Sequence, residues 1–340
     1  MAIPGIQAAL TYRAMDWSST LAEERRGEVF LNQQGEVQPL EDILVASGVN
    51  MVRQRVWTVN GDYGIDYNLE LAKRAKAAGL MFGLNLHYSD TWTNPGLQDI
   101  PTGWPTDIGN LESTIYNYTS EVCNTFADAG LVPTTITIGN EINGGLLWPV
   151  GKYDQPANLA KLLHAASAAI RASTLDPPPK IQIHLSHGAD LDNQQWFYDM
   201  IIAEGTFQLS DIDQQTVSHY PFWGEIATRA NLKASLQNLV DRFDKEVMIV
   251  ETNWPVGCAK RGSEVIFPPD TDDIPLTAEG QTMWVERTAE TLGEISQAVG
   301  ISYWEGAWFN NAVLGSPCEW NPMFDGNANP LSSLNVFQNI

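Results

Sequence analysis

A closed α/β barrel, with eight parallel strands that alternate with helices, is the fold class this sequence predicts. Three observations lead there. A helix-like run, a glycine and a short strand-like run recur in that order along the chain, the sign of alternating α/β architecture. The strand-like segments number eight and are spread from end to end. No linker, low-complexity stretch or break in composition divides the 340 residues. The expectation is therefore one (β/α)8 TIM barrel domain over residues 1–340, with long βα loops, a size such a barrel reaches as a single domain.

The glycine-ended units come in order. Leu40–Ser47 precedes Gly48 and Met51–Val56; Asn68–Ala78 precedes Gly79 and Met81–Leu86; Leu111–Ala129 precedes Gly130 and Thr135–Ile138. Trp196–Glu204 precedes Gly205 and, after a loop, Thr216–His219; Gln281–Val299 precedes Gly300 and Ile301–Trp304. Glycine ends a helix in the left-handed conformation at little steric cost. Ala9–Arg13, Ile181–Leu185 and Val247–Val250 complete the eight. Pro177-Pro178-Pro179 stops the helix before Ile181. The run Val247-Met248-Ile249-Val250 reads as a strand buried on both faces. Trp254–Leu276 is too long for a plain connection and reads as a large βα loop beside the active site.

Composition narrows the function. The net charge of −22 speaks against nucleic acid or an anionic membrane as partner, since both need a basic face. No segment approaches the roughly 18 apolar residues of a membrane helix. Met1–Ala9 lacks the basic and apolar regions of an intact signal peptide. Twelve tryptophans suit sugar binding, because sugar C–H faces pack on flat rings, although core packing is expected to use more than half of them. The three cysteines include no C-x-x-C pair; Cys258 and Cys318 lie in late Gly/Pro-rich loops and are paired here as a disulfide, while Cys123 falls on an amphipathic helix as core. Asn117-Tyr118-Thr119 is the single glycosylation sequon.

In such a barrel, chemistry sits where strands end and βα loops begin. The strand ends carry Asp16-Trp17; Arg53, Arg55 and Trp57; His87 to Trp92; Gly139-Asn140-Glu141; His184 to His187; His219 to Trp223; Glu251 to Pro255; and Trp304 to Trp308. Four of the five histidines fall in these segments, a concentration that a structural protein does not need. Glu141 and Glu251 follow apolar strands, the fourth and the seventh, that face each other across a barrel of eight. Two carboxylates straddling one acetal are the minimum kit for glycoside hydrolysis, one protonated and one ionised. A glutamate that merely caps a helix or pairs with arginine is the plain alternative for Glu141 alone; the partner Glu251 and the aromatic rim argue against it.

With Gly139-Asn140-Glu141 and Glu251-Thr252-Asn253-Trp254-Pro255, the chain resembles the clan of (β/α)8 retaining glycosidases, and more narrowly glycoside hydrolase family 53 of fungal type, the arabinogalactan endo-β-1,4-galactanases. The matching runs include Val52-Arg53-Gln54-Arg55-Val56-Trp57, Ser89-Asp90-Thr91-Trp92, Gly145-Leu146-Leu147-Trp148-Pro149 and Tyr303-Trp304-Glu305, in order along nearly the whole chain. The resemblance implies a secreted endo-acting retaining hydrolase of β-1,4-galactan, with Glu141 as acid/base and Glu251 as nucleophile. It implies that Arg53 and Tyr220 hold Glu251 ionised, and that Asn140 bonds the sugar 2-hydroxyl. Trp92 and Trp304 become stacking platforms, and His87, Asp90 and Trp223 line the groove. Arg55 shares a strand face with Arg53 by the period of two, so the residues leave open which of them meets Glu251. Glu305 reads as structural or secondary. Three positions depart from the family pattern: Ala14 stands where Gly is usual, Gly306 where Pro is usual, and His219 where an aromatic is frequent.

Bacterial members of that family carry calcium in the loop after strand seven; here Asp270, Asp272 and Asp273 lack regular calcium-loop spacing, so no metal and no cofactor are expected. The expected partner is a polysaccharide, and the expected state a monomer. Competing readings are the same chemistry on mannan or glucan, a non-catalytic carbohydrate-binding protein, and a metal-dependent barrel hydrolase, which lacks its His-x-His after strand one.

Overall fold

The computed structural model describes residues 10–340; Met1–Ala9, including the first residue of the earliest expected strand, lies outside the described residues. Eight strands are parallel and close into a barrel: β1 Tyr12–Asp16, β2 Met51–Val56, β3 Met81–Leu86, β4 Thr135–Ile138, β5 Lys180–Leu185, β6 Gln214–Ser218, β7 Glu246–Glu251 and β8 Ala298–Tyr303. Each is bonded to its sequence neighbour, and β8 returns to β1. The helices are α1 Thr20–Arg25, α2 Leu40–Ala46, α3 Ile65–Ala77, α4 Ile108–Asp128, α5 Pro156–Arg171, α6 Leu191–Ala203, α7 Arg229–Phe243 and α8 Ala278–Gly293. A 3-10 turn, Ser332–Gln338, follows β8 where a helix would stand.

The amphipathic pattern explains why these helices dock. On α4, Leu111, Ile115, Thr119, Val122, Cys123 and Phe126 form the buried stripe, and Asp107 caps its start by accepting from Asn110 N. The main apolar core fills the space between helices and sheet. Inside the barrel, a small cluster of Tyr12, Ala14, Met51, Met248 and Val250 closes the lower end. The polar side chains there are chained together: Thr137 Oγ1 donates to Gln182 Oε1 at 2.7 Å, Gln182 Nε2 to Gln214 Oε1 at 2.6 Å, and Gln214 Nε2 to Glu246 Oε2 at 2.6 Å. Bonds between buried side chains of this kind stabilise a polar interior that would otherwise cost several kcal/mol.

Gly48, Gly79, Gly130 and Gly205 all adopt positive φ after their helices, as expected. Gly300 does not. It lies within β8, and a Cβ there would come within 2.6 Å of Tyr12 Cβ and O. Helix α8 accordingly ends at Gly293 rather than Val299, and β8 starts at Ala298. The first strand also lies later than expected, because Asp16 is its last residue and pairs into the barrel mouth with Arg53. Six of the twelve tryptophans serve the core, Trp17, Trp254 and Trp284 fully buried and Trp57, Trp104 and Trp320 packed against it, just short of the expected majority.

The disulfide joins Cys258 to Cys318 across 60 residues, and Cys123 is a buried thiol. The bridge ties the loop after β7 to the loop after β8, beside the bonds Val256 N to Trp320 O at 2.8 Å and Glu319 N to Gly257 O at 2.9 Å. A closed loop of 60 residues restricts the unfolded chain, so the Cys258→Ala/Cys318→Ala variant is expected to lose about 4 kcal/mol in urea denaturation; a loss under about 1 kcal/mol would show that the bridge constrains little.

Candidate active site

The C-terminal ends of the strands surround a cleft of about 780 Å³. Its walls include Arg53, His87, Trp92, Asn140, Tyr220, Trp223 and Trp304, together with Glu141 and Glu251. Asp90 is not among these wall residues; its carboxylate accepts from Thr58 Oγ1 at 2.5 Å and from Thr102 N at 2.7 Å. The loop Trp254–Leu276 contributes nothing to the wall either; residues 311 and 314–316 of the β8 loop do, and the β7 loop braces them from behind through the disulfide.

Glu251 ends β7 with 6% of its surface exposed. Its Oε1 accepts from Arg53 Nη1 at 2.9 Å and its Oε2 from the Tyr220 hydroxyl at 2.9 Å. Arg53 Nη1 also reaches Asp16 Oδ2 at 3.0 Å, and Asp16 Oδ1 accepts from Ser18 N and Oγ. The question of the two arginines is thereby answered. Arg55 pairs instead with Glu305 and donates to Ser19 Oγ at 2.7 Å, and its guanidinium lies 4.1 Å from the Tyr63 ring and 4.2 Å from that of Trp92. Trp92 in turn stacks on Trp308 at 6.1 Å and meets Trp304 edge-on at 6.1 Å. Arg55 and Glu305 therefore support the aromatic wall from beneath, not the carboxylate.

Glu141 stands just past β4 in a left-handed conformation, φ 49° and ψ 51°, partly open to the cleft. It carries no arginine. Its Oε1 accepts from Ser218 Oγ at 2.7 Å. Burial and then the neighbouring Glu251 charge push its pKa up to about 8, against the Ser218 hydrogen bond and the more distant Arg53. Burial also raises Glu251, but Arg53 opposes it most strongly, with the Tyr220 hydrogen bond helping. Glu141 is thus the member of the pair that keeps a proton.

Ser218 was not singled out by sequence reasoning, nor was any role for His184 or Asn85. A register shift between Val217 and Ser218 sets Ser218 opposite Glu251. Its single hydroxyl lies 2.7 Å from Glu141 Oε1, 3.4 Å from Glu251 Oε2 and 2.8 Å from His184 Nε2. His184 Nδ1 lies 3.0 Å from Asn140 Oδ1 and 3.3 Å from Arg53 Nη2, and Asn140 Oδ1 also accepts from Asn85 Nδ2 at 2.8 Å. Asn140 Nδ2 spends one proton on Thr93 O at 2.9 Å, leaving the other for a ligand. His87 and His184 are held neutral by burial first, then by the nearby positive guanidinium of Arg53.

One oxygen each from Glu141 and Glu251 and one His184 nitrogen lie within 4.8 Å of one another, the one group with metal-ligand spacing among the described residues. Its donors are already engaged: Arg53 neutralises Glu251, and both His184 nitrogens have protein partners. A cation there would face that guanidinium, so the donor set fits a proton-handling pair better than a metal. In the long loop, Asp270 accepts from Arg229 N and Asp273 pairs with Arg287. Asn117 is exposed on α4, whereas Thr119 of the same sequon is buried and bonds Tyr88 OH at 2.9 Å.

Residues 12–337 match the model of glycosyl hydrolase family 53. An arabinogalactan endo-beta-1,4-galactanase of Thermothelomyces thermophilus is 49% identical over 98% of this chain and all of its own length. The protein of that name from Humicola insolens is 48% identical with the same coverage. Among solved structures, a fungal beta-1,4-galactanase superposes with a TM-score of 0.96 at 49% identity, over 98% of this chain and 100% of its own. The family 53 catalytic domain of Ignisphaera aggregans gives 0.84 at 27%, over 99% and 98%. Carrying the barrel, the paired carboxylates and a family match over nearly its full length, this chain belongs to glycosyl hydrolase family 53.

Proposed function

We propose that the chain cleaves internal β-1,4-galactosidic bonds of the (arabino)galactan side chains of pectin, by a retaining double displacement in which Glu251 is the nucleophile and Glu141 the acid/base. The supporting observation is the carboxylate pair in the cleft, with an oxygen of each inside a 4.8 Å group. Carboxyl groups that close belong to the retaining class; an inverting pair sits roughly 6.5–9.5 Å apart to admit a water. The relatives' names supply the polymer and its linkage, and the cleft has room for more than one sugar ring.

The first step needs an ionised Glu251 to attack the anomeric carbon while Glu141 gives its proton to the leaving oxygen. Arg53 and Tyr220 each occupy one Glu251 oxygen, which orients the carboxylate and favours its charged form. As the glycosyl-enzyme forms, the Glu251 charge is lost and the influence raising the Glu141 pKa weakens, so Glu141 emerges as a base ready to take a proton from water. The remaining Asn140 amide proton is placed for the sugar 2-hydroxyl. Trp92 and Trp304 offer ring faces, with His87 and Trp223 at the wall. We infer an extracellular site of action: the polymer is a cell-wall component, and the disulfide requires an oxidising setting. Among the described residues no helix is long and apolar enough to cross a membrane.

Glu251→Gln should lower kcat on linear β-1,4-galactan by at least about 10³-fold while leaving the unfolding midpoint nearly unchanged, and substantial residual turnover would remove the nucleophile assignment. Glu141→Ala should cut polymer hydrolysis by about 10³-fold yet spare aryl galactosides with good leaving groups, which need no protonation; equal losses on both would contradict the acid role. The pH profile follows from sign. Glu141 acts protonated and loses its proton as pH rises through about 8, so kcat/KM falls on the alkaline side there. The Ser218 hydrogen bond favours the charged form of Glu141, so Ser218→Ala should move that limb to higher pH and cost about tenfold in kcat/KM. A limb that stays put or moves down would show that Ser218 does not govern Glu141.

A further inference from the structure

We propose that Tyr153 and Trp196 form an outer binding platform for the galactan chain on its leaving-group side, beyond the cleft; the proposal rests on the function just described. Four aromatic side chains are more than a third exposed among the described residues: Tyr116 at 37%, Tyr153 at 44%, Trp196 at 42% and Trp223 at 52%. Trp223 lines the cleft. Tyr153 and Trp196 meet each other with ring centroids 6.0 Å apart at 67°, the one ring contact among the described residues in which both rings are this open. Two such rings form a corner with a free face on each, the shape that takes the apolar C–H face of a galactose ring. Among the described residues, neither the Tyr153 hydroxyl nor the Trp196 indole N–H has a hydrogen-bond partner. The Lys152 ammonium lies 5.7 Å from the Tyr153 ring and 5.1 Å from that of Trp148, within reach of sugar hydroxyls.

The position of the pair selects its occupant. Tyr153 N bonds Gly144 O at 3.0 Å, three residues past Glu141. Trp196 lies one turn along α6 from Asn193, whose Oδ1 accepts from Asn143 Nδ2 at 2.6 Å. Asn143 in turn accepts from Ser186 N at 2.7 Å, and Ser186 and His187 form the cleft wall. The platform therefore adjoins the loops after β4 and β5. The acid must stand beside the leaving oxygen, so the leaving half of the substrate passes Glu141, which stands in the loop after β4 that the platform adjoins. A polymer longer than the cleft would meet the pair, and a short substrate would not.

The test uses the full chain in two arms. In the first, Glu251→Gln and Glu251→Gln/Tyr153→Ala/Trp196→Ala are compared by affinity electrophoresis in gels containing linear β-1,4-galactan, where no digestion occurs. The triple variant should bind about tenfold more weakly, and restoring a ring with Trp196→Phe in place of Trp196→Ala should recover most of the loss. In the second, Tyr153→Ala/Trp196→Ala in the otherwise wild-type chain should raise KM on long galactan by about tenfold, with kcat and aryl β-galactobioside hydrolysis unchanged within about twofold. Equal retardation of the two gel variants overturns the platform. So does an equal loss on short and long substrates, which would mean a general structural role. A dimer that dissociates in the double variant while polymer binding persists would make the surface a subunit contact, and overturn it too. Wild-type chain that leaves galactan uncut instead removes the function, a result separate from any effect of the two rings.

Discussion

One buried guanidinium organises the mouth of this barrel. Arg53 bridges Asp16 and Glu251 at 3.0 and 2.9 Å, with 5% of its own surface exposed. Taking such charges from water costs several kcal/mol per ion, and only close pairing with further hydrogen bonds offsets it. The structure supplies those bonds: Ser18 on Asp16, Tyr220 on Glu251, Asn140 and His184 against the second guanidinium nitrogen. The same arrangement divides the labour between two identical side chains. Glu251 has a cation in contact and is eased toward its charged form. Glu141, on the facing wall, has a serine hydroxyl and a partly open cleft, so burial and its neighbour's charge keep it protonated.

Most of the scaffold was legible because local rules and tertiary structure agree. Glycines that end helices punctuated four of the five units correctly, and both glutamates stand at the lip of apolar strands. The limits have physical causes. Arg53 and Arg55 lie two residues apart on one strand face, and their partners come from other strands. Asp16 sits in register with Arg53 on β1, whereas Glu305 arrives from beyond β8. Cross-strand register of that kind has no signature in a single sequence. Gly300 misled for a similar reason: its missing Cβ is required by Tyr12 of the adjoining strand, not by a helix end. Ser218 was invisible because a serine at a strand end is unremarkable until a bulge sets it between two carboxylates.

The positions that depart from the family pattern keep the packing around the site, and of the three only His219 reaches the cleft wall. His219 stands where an aromatic is frequent; its ring stacks on Trp284 at 5.2 Å and 15°, and burial lowers its pKa to about 3, so it packs as a neutral flat ring. Gly306 stands where proline is usual, and Met15 fills the space, with its Cε 2.6 Å from where a Cβ would be. Ala14 is buried in the small cluster at the base of the barrel. None of the three changes the partners of Glu141 or Glu251.

Backbone strain gathers at the same rim. Tyr88, Glu141, His187 and Glu305 follow β3, β4, β5 and β8, and all have φ between 46° and 55°. A left-handed residue with a side chain costs of order 1–3 kcal/mol at a functional site and persists only where its surroundings hold it. Glycine would relieve the strain at each position, but it would also delete the group the position exists to present. Tyr88 locks the end of β3 to Thr119 on α4, and Glu305 holds Arg55 under the tryptophans. Glu141 is turned by the same means toward Ser218 on β6. Strand alternation alone would send successive side chains to opposite faces of the sheet; a left-handed residue just past the strand breaks that alternation and aims its side chain across the mouth. The two carboxylates can face one bond because the closed barrel sets β4 and β7 three strands apart around one mouth and this turn redirects one of them.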